Sequence, residues 1–173
     1  MTKINIGILS ALLLLITKSS FANQYVIHSA FGVTLGEQYK GTLNKSDDFN
    51  YKLPYYKIKP TSPSKLLDDY YVIKTKDNTV AQILGSTLGT CNEEYQQLIR
   101  VIESKYSYLN KFTNDSDEIL YVSFYKGSSD NRYIGIACEK WFVKDLIYIE
   151  YVDELLTEKA MSEQLDTIDD SKF

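Results

Sequence analysis

The chain has 173 residues, of which 44% are hydrophobic, 24% charged and 13% aromatic, and its formal net charge is −4. These fractions are typical of a globular protein and exclude a collagen-like, low-complexity or wholly disordered chain. The acidic balance argues against nucleic acid as a partner, because phosphate backbones are bound by clustered Lys and Arg.

The first 22 residues have the three parts of a secretory signal peptide. Met1–Asn5 contains one positive charge, Ile6–Ile16 is apolar, and Ser20 and Ala22 place small residues before a cleavage point at Asn23. The apolar run is too short to cross a bilayer, which needs about 20 helical residues. An uncleaved N-terminal anchor is the alternative.

Cleavage after Ala22 defines the predicted mature protein. Residues 1–22 contain Lys3 and Lys18 and no acidic residue, so their removal leaves 151 residues with a net charge of −6. We expect a single domain over residues 23–165, a flexible acidic tail over residues 166–173, and no transmembrane segment in the mature chain. The predicted location is the periplasm, with the extracellular space as the alternative.

Cys91 and Cys138 are the only cysteines. In an exported protein an even number of cysteines favours a disulfide, and two cysteines allow a single intramolecular pairing. The alternative is a reactive thiol at Cys91, close to a helix start, where the dipole lowers a thiol pKa. The chain contains no C-x-x-C sequence, and the sequence therefore favours the structural disulfide.

Strand patterns begin early in the mature chain. We expect short strands at Tyr25–Ile27 and at Phe31–Gly36, and an edge strand at Tyr55–Lys59, which prolines flank on both sides. Tyr70–Thr75 and Thr79–Leu84 are rich in β-formers and flank Lys76-Asp77-Asn78. Two such runs around a short Asp/Asn turn predict a β-hairpin.

Thr90–Tyr106 has the clearest helical pattern. Apolar residues recur every three or four positions, which places them on one helix face, and Thr90 with Glu93 forms the spacing of a capping box. The apolar stripe consists of Cys91, Tyr95, Leu98, Ile102 and Tyr106.

The last third of the mature chain predicts three strands and a second helix. Ile119–Tyr125 and Arg132–Glu139 alternate with period two, so that Leu120, Val122 and Phe124 share one face and Ile134, Ile136 and Cys138 another. Leu146–Val152 is the third strand. Asp153–Leu165 is predicted as a helix capped by Asp153, with a stripe of Val152, Leu155, Leu156, Met161 and Leu165.

These elements define an α+β fold. We expect an antiparallel sheet of about five strands, with one or two helices packed on one face and a single disulfide. Cys91 and Cys138 both fall on apolar faces, so that the disulfide would join the first helix to the sheet.

The residues that catalysis requires are scarce. His28 is the single histidine and lies in no recognisable motif, so we expect an ordinary strand histidine. Zinc sites need several His or Cys ligands. The acidic cluster at Asp115, Asp117 and Glu118 lacks the central glycine of a calcium loop. We therefore predict no metal, no cofactor and no catalytic residues.

Tyrosine is unusually frequent, with 15 residues against 7 Phe and 1 Trp. Tyr55, Tyr56, Tyr70 and Tyr71 form two adjacent pairs in predicted strands. Adjacent strand residues point to opposite faces, so one member of each pair is expected to face outward. Tyrosine is enriched at recognition surfaces, although strand propensity alone also favours it.

Three functional hypotheses follow. The first is an exported, non-catalytic protein-binding domain, such as an inhibitor or immunity-type protein for a basic partner, whose binding surface includes the four paired tyrosines. The second is a small carboxylate-dependent hydrolase, which would need two facing carboxylates and one raised pKa. The third is an envelope assembly factor or a small-ligand carrier. The fold class alone does not choose among them.

Overall fold

A computed structural model describes residues 26–46, 53–112, 119–126, 131–141 and 143–169. The predicted signal peptide over residues 1–22, the acidic cluster at residues 115–118 and the end of the acidic tail lie outside these ranges. No helix among the described residues combines the length and the apolar character that crossing a membrane requires.

The described residues contain ten strands and two α-helices, and a single π-helical turn, Cys91–Tyr95, leads into the first helix. The elements in chain order are β1 (Ser29–Ala30), β2 (Val33–Thr34), β3 (Asn44–Ser46), β4 (Tyr55–Lys57), β5 (Asp69–Lys74), β6 (Val80–Gly89), α1 (Gln96–Glu103), β7 (Ser107–Phe112), β8 (Ile119–Lys126), β9 (Arg132–Trp141), β10 (Lys144–Asp153) and α2 (Glu154–Asp169).

Eight strands form one antiparallel sheet in the order β3-β4-β5-β6-β10-β9-β8-β7, and β1 and β2 form a separate hairpin. The α+β class is confirmed, with more strands than the five expected. The predicted edge strand at Tyr55 is β4, which has neighbours on both sides because Asn44–Ser46 pairs with it. The centre of the sheet joins β6 to β10, two strands that are far apart in the chain.

The two helices pack on opposite faces of this sheet rather than on one. The π-helical turn and α1 cover one face, where Tyr95 and Ile102 join a core that includes Ile136 and Ile149. Ala160 of α2 packs on the other face, in a second core whose described members are Leu53, Tyr55, Tyr71, Ile73, Ala81, Leu84 and Ala160. Both faces are covered because the central strands are apolar on both sides; residues 70–73 of β5, for example, are all buried.

The predicted disulfide is present and joins Cys91 to Cys138, with the two Cα atoms 5.8 Å apart. Cys91 begins the π-helical turn and Cys138 lies in β9, so the bond connects the helical segment to the sheet as the sequence predicts. The backbone N–H of Cys91 also donates a hydrogen bond of 3.1 Å to a carboxylate oxygen of Asp145 in β10. The start of the helical segment is thus tied to two strands.

The predicted capping box at Thr90 forms only in part, because the Thr90 hydroxyl accepts no backbone N–H, and the glutamate that reaches back is a different one. Glu94, and not Glu93, accepts hydrogen bonds from the Thr90 backbone N–H at 2.9 Å and from its hydroxyl at 3.2 Å. The first turn is π-helical, which places one extra residue in the turn. The glutamate that reaches back is therefore one position later than in an α-helix.

The predicted hairpin at residues 70–84 is confirmed as β5 and β6. Asn78 adopts a positive φ of 64°, a conformation that Asn tolerates better than most residues. The side chains of Thr75 and Asp77 form a hydrogen bond across the turn. The connection thus has the turn chemistry that the sequence indicates.

Two apolar stripes are placed differently from the expectation. In β8, Val122 and Phe124 share the more exposed face, and Ser123 and Tyr125 point into the core. Burial of these polar side chains is compensated, because the Tyr95 hydroxyl and Ser123 Oγ lie 2.7 Å apart and Tyr125 donates to Glu103 at 3.3 Å.

In α2 the predicted stripe lies mostly on the solvent side. Leu155 and Leu165 are 59% and 66% exposed, whereas the small Ala160 is buried against the sheet. Asp153 caps the helix as predicted, by accepting a hydrogen bond of 3.2 Å from the Leu156 N–H. The helix continues to Asp169, so that it includes the first four residues of the predicted flexible tail.

Candidate functional site

The second face of the sheet bears a group of half-buried acidic and aromatic side chains beside α2. We call Phe124, Tyr133, Glu139, Tyr148 and Glu150 the acidic aromatic face. They come from β8, β9 and β10 at positions that alternate with the core residues of the same strands. Helix α2 packs on β5, β6 and β10.

Two small residues of β9 lie in the middle of this face. Gly135 pairs with Glu150, and Ala137 pairs with Tyr148, across the β9–β10 ladder. Both small residues are buried. A Cβ atom on Gly135 would lie 2.7 Å from Oε1 of Glu150, so that glycine is what leaves room for this carboxyl group. The small side chains of β9 therefore leave space on this face that the larger side chains of neighbouring strands border.

Glu150 is the acid whose pKa is raised among the described residues. Burial, and secondly the negative charge of Glu139, raise the pKa of Glu150 from 4.5 to about 7. No described residue donates a hydrogen bond to its carboxyl group, and none of the ion pairs among the described residues includes it. The group therefore exchanges its proton near neutral pH.

The other members of the face are held by contacts with one another. The Tyr148 hydroxyl donates a hydrogen bond of 2.7 Å to Oε1 of Glu139. The rings of Phe124 and Tyr133 meet edge to face with centroids 5.7 Å apart. Burial, with the charges of Glu150 and Glu154, raises the pKa of Tyr133, which keeps this phenol neutral.

This arrangement suits a positively charged group. The carboxyl groups of Glu139 and Glu150 supply acceptors, and the tyrosine rings supply faces against which a guanidinium or ammonium group packs favourably. The register places two basic residues at positions of this face, Lys126 of β8 and Lys144 of β10. Neither forms an ion pair with Glu139 or Glu150.

The four tyrosines singled out by the sequence are placed unequally. Tyr55, Tyr70 and Tyr71 are buried, and Tyr56 is half-buried. The pair at positions 70 and 71 has no outward member, because one ring joins each of the two cores. In the pair at positions 55 and 56 the expected outward member is present. A binding role for these tyrosines remains a prediction.

Tyr56 borders a groove of about 210 Å³ between α2 and the β5–β6 turn. The Lys74 ammonium lies 4.9 Å from the centre of the Tyr56 ring. On the opposite side, Glu163 accepts a hydrogen bond of 2.6 Å from the backbone N–H of Lys76. Glu163 is the single carboxylate of this groove, which therefore lacks the facing pair that a carboxylate-dependent hydrolase needs.

Two further candidate groups of the sequence, His28 and the cysteines, lie among the described residues. His28 is exposed, and its backbone carbonyl accepts a hydrogen bond of 2.9 Å from the Leu35 N–H. Among the described residues, the sulfur atoms of Cys91 and Cys138 lie with a carboxylate oxygen of Asp145 inside 4.8 Å. The sulfur atoms are bonded to each other, so that they are not available as thiolate ligands.

Sequence reasoning did not select Glu139 or Glu150. The two residues are 11 positions apart, and the antiparallel register of β9 and β10 brings their strands together on one face. A signal was nevertheless present, because Glu150 interrupts the otherwise apolar and aromatic run of β10. An acidic residue within such a strand marks a face that the core does not fill.

Comparisons of this chain with protein-family models, with curated proteins and with solved structures find no match. The functional argument therefore depends on the residues themselves.

Proposed function

We propose that this protein is an exported, non-catalytic binding domain that docks a basic segment of another protein on the acidic aromatic face. The observation that supports the proposal is a pair of half-buried glutamates, Glu139 and Glu150, beside aromatic rings and without a described cation as partner. An inhibitor or immunity-type protein for a basic target is one concrete form of such a domain.

The energetics favour an incoming cation. Glu150 has already lost much of its hydration in the free protein, so that a partner does not have to remove it again. An Arg or Lys side chain would restore an electrostatic partner for the ionised carboxylate. The acidic net charge of −4 also increases the association rate with a basic partner through long-range attraction.

Export is supported by two features of different kinds. The N-terminal sequence has the composition of a signal peptide. The disulfide between Cys91 and Cys138 is of the kind that persists in oxidising compartments. We place the protein in the periplasm on these grounds, with the extracellular space as the alternative.

The test compares two charge-matched double variants. Glu139→Gln/Glu150→Gln changes the acidic aromatic face, whereas Glu93→Gln/Glu158→Gln removes the same charge from exposed helical positions. Binding of an arginine-containing hexapeptide is measured by calorimetry at low and high salt. We expect the site variant to bind at least about tenfold more weakly, since each lost charged contact typically costs more than 1 kcal/mol.

The control variant should lose no more than the long-range part of the affinity, and high salt should reproduce that loss in the wild-type protein. Equal weakening in both variants would show that net charge alone attracts the peptide and would contradict docking on this face.

A carboxylate-dependent hydrolase is the second candidate, and one observation favours it. The pKa of Glu150 is raised to about 7, as that of a general acid in such enzymes is, and Glu139 is a second carboxylate on the same face. Turnover of chromogenic glycosides and esters by the wild-type protein, abolished in Glu150→Gln, would support this candidate. Absence of turnover together with intact peptide binding would contradict the hydrolase and support the binding domain.

A further inference from the structure

A second concave site lies beside the β1–β2 hairpin, and residues from the first half of the chain line it. It is a cleft of about 330 Å³ between the segment 37–41 and the segment 59–61. This volume reaches the lower end of the range for small-molecule sites. None of the residues of the acidic aromatic face lines it.

The cleft has a rigid framework of backbone hydrogen bonds. On one side, Gly36 N–H donates to Val80 and Val80 N–H donates to Glu37, both at 2.9 Å, and Tyr39 N–H donates to Asn78 at 3.0 Å. This ladder fixes the segment 36–39 against the start of β6. The wall does not depend on side-chain packing alone.

Glycines shape both walls of the cleft. Gly32 has a φ of 80°, and the Thr61 side chain occupies the space where its Cβ would be. The Ser62 N–H donates a hydrogen bond of 3.2 Å to Phe31, which fixes the segment at 61 to the turn. A Cβ on Gly41 would lie 2.6 Å from the Tyr39 hydroxyl, so that this ring lies directly against the chain.

The charges of the lining are the reverse of those of the whole molecule. Lys40 and Lys59 line the cleft, and neither forms an ion pair with any described residue. Glu37 is the single acidic residue of the lining. The cleft is therefore a locally cationic site on a protein whose net charge is −4.

The remaining lining is apolar and hydroxylic. Val33 and Val80 are both buried and form an apolar base. The half-buried Tyr39 contributes a ring whose pKa burial raises, so that its hydroxyl stays protonated and can donate a hydrogen bond. Thr34 and Thr61 add two further hydroxyl groups. The cleft thus combines an apolar base with cations at its border.

We propose that this cleft binds a small molecule in which one carboxylate is attached to an aromatic or apolar body. The carboxylate would lie between Lys40 and Lys59, and the body would pack on Val33, Val80 and the Tyr39 ring. This ligand site is independent of the protein-docking function proposed above, because the two sites share no residue.

The test uses benzoate as the probe, with benzamide and inorganic phosphate as comparisons. Titrations of the purified, isotope-labelled protein are followed by the amide NMR signals of Gly32 and Gly41. We expect saturable binding of benzoate with a dissociation constant on the order of 1 mM or tighter. Benzamide, which lacks the charge, and phosphate, which lacks the apolar body, should each bind at least about fivefold more weakly.

Three variants locate the binding. Lys59→Gln and Lys40→Gln should each weaken benzoate binding at least about threefold, whereas Lys105→Gln, an exposed lysine next to α1, should leave it unchanged. All three positions are exposed, so that folding should be preserved. Absence of saturable benzoate binding, equal binding of phosphate, or equal binding by the Lys40 and Lys59 variants would overturn the proposal.

Discussion

Glu150 is a residue whose ionised form weakens the fold. Its carboxyl group lies over Gly135, the negative charge of Glu139 adds to the rise of its pKa, and no described residue donates a hydrogen bond to it. Ionising a carboxyl group in such a place costs free energy. A binding partner that supplies a positive charge would recover that cost, which the free protein cannot do.

This residue predicts a specific pH dependence of stability. The folded-state pKa of Glu150, about 7, is higher than the unfolded value of 4.5. Between these values the unfolded state releases the proton and the folded state keeps it, so this group's contribution to the free energy of unfolding decreases as pH rises. The contribution is fully present below pH 4.5 and is lost above about pH 7.

Glu150→Gln should therefore stabilise the protein at pH 8, by about 3 kcal/mol at most, and should reduce the pH dependence between 5 and 7. Urea unfolding at several pH values measures both effects. Glu139→Gln is the comparison, because it removes the like charge and should lower the pKa of Glu150. Unchanged stability of Glu150→Gln at pH 8 would show that the carboxyl group is well solvated.

Residue-scale prediction from sequence was successful for covalent chemistry and incomplete for the site. Cys91 and Cys138 were paired correctly because two cysteines leave one arrangement and both lay on apolar faces. Among the paired tyrosines, Tyr56 borders a groove, whereas neighbours far away in sequence bury the other three. Glu139 and Glu150 were missed because only the strand register brings them onto one face.

At the scale of elements, periodicity identified the two hairpins at β5–β6 and β8–β9, strand β10 and both helices. It failed to assign the buried face of α2 and of β8. In α2 the apolar residues lie on both sides, and the small Ala160 is what allows close packing on the sheet. In β8, Ser123 and Tyr125 can be buried because residues of the helical segment form hydrogen bonds with them. A local sequence pattern does not show such distant partners.

The orientation of α2 yields a direct prediction. Leu165→Glu should change the free energy of unfolding by no more than about 0.5 kcal/mol, because its side chain is exposed. Ala160→Glu places the same charged group in the second core and should cost several times more, roughly 3 kcal/mol or above. Chemical denaturation of both variants measures the difference. Similar losses in the two variants would mean that α2 packs through its leucine side.

At the scale of the molecule, the disulfide joins the segment covering one face of the sheet to the sheet itself. It closes a loop of 47 positions, and the chain-entropy model assigns about 4 kcal/mol to such a loop. Arg132 makes a comparable long-range connection without a covalent bond. It pairs with Asp153 at 2.9 Å and donates to the carbonyl of Ile27 at 3.0 Å, which joins the N-terminal segment to the start of α2.

Cys91→Ser/Cys138→Ser should lower the free energy of unfolding by about 4 kcal/mol, and a reducing agent should lower the wild-type value equally. Asp145→Asn is the matched control, since it weakens only the hydrogen bond to the Cys91 N–H and should cost about 1 kcal/mol. Unfolding curves with and without reductant give these values. A reductant effect that persists in the double serine variant would show that the stabilisation has another source.

The pairing of β6 with β10 has a consequence for how the chain reaches this structure. Partners such as Gln82 and Val152 are 70 positions apart, so the middle of the sheet closes only when nearly the whole chain is available. Contacts of such long sequence separation slow folding, because the entropy of closing the intervening loop is lost before the contacts form. Until β10 arrives, β6 presents an unpaired apolar edge. When the chain is synthesised from its N-terminus, this edge therefore stays open to aggregation until β10, the last strand, pairs with it.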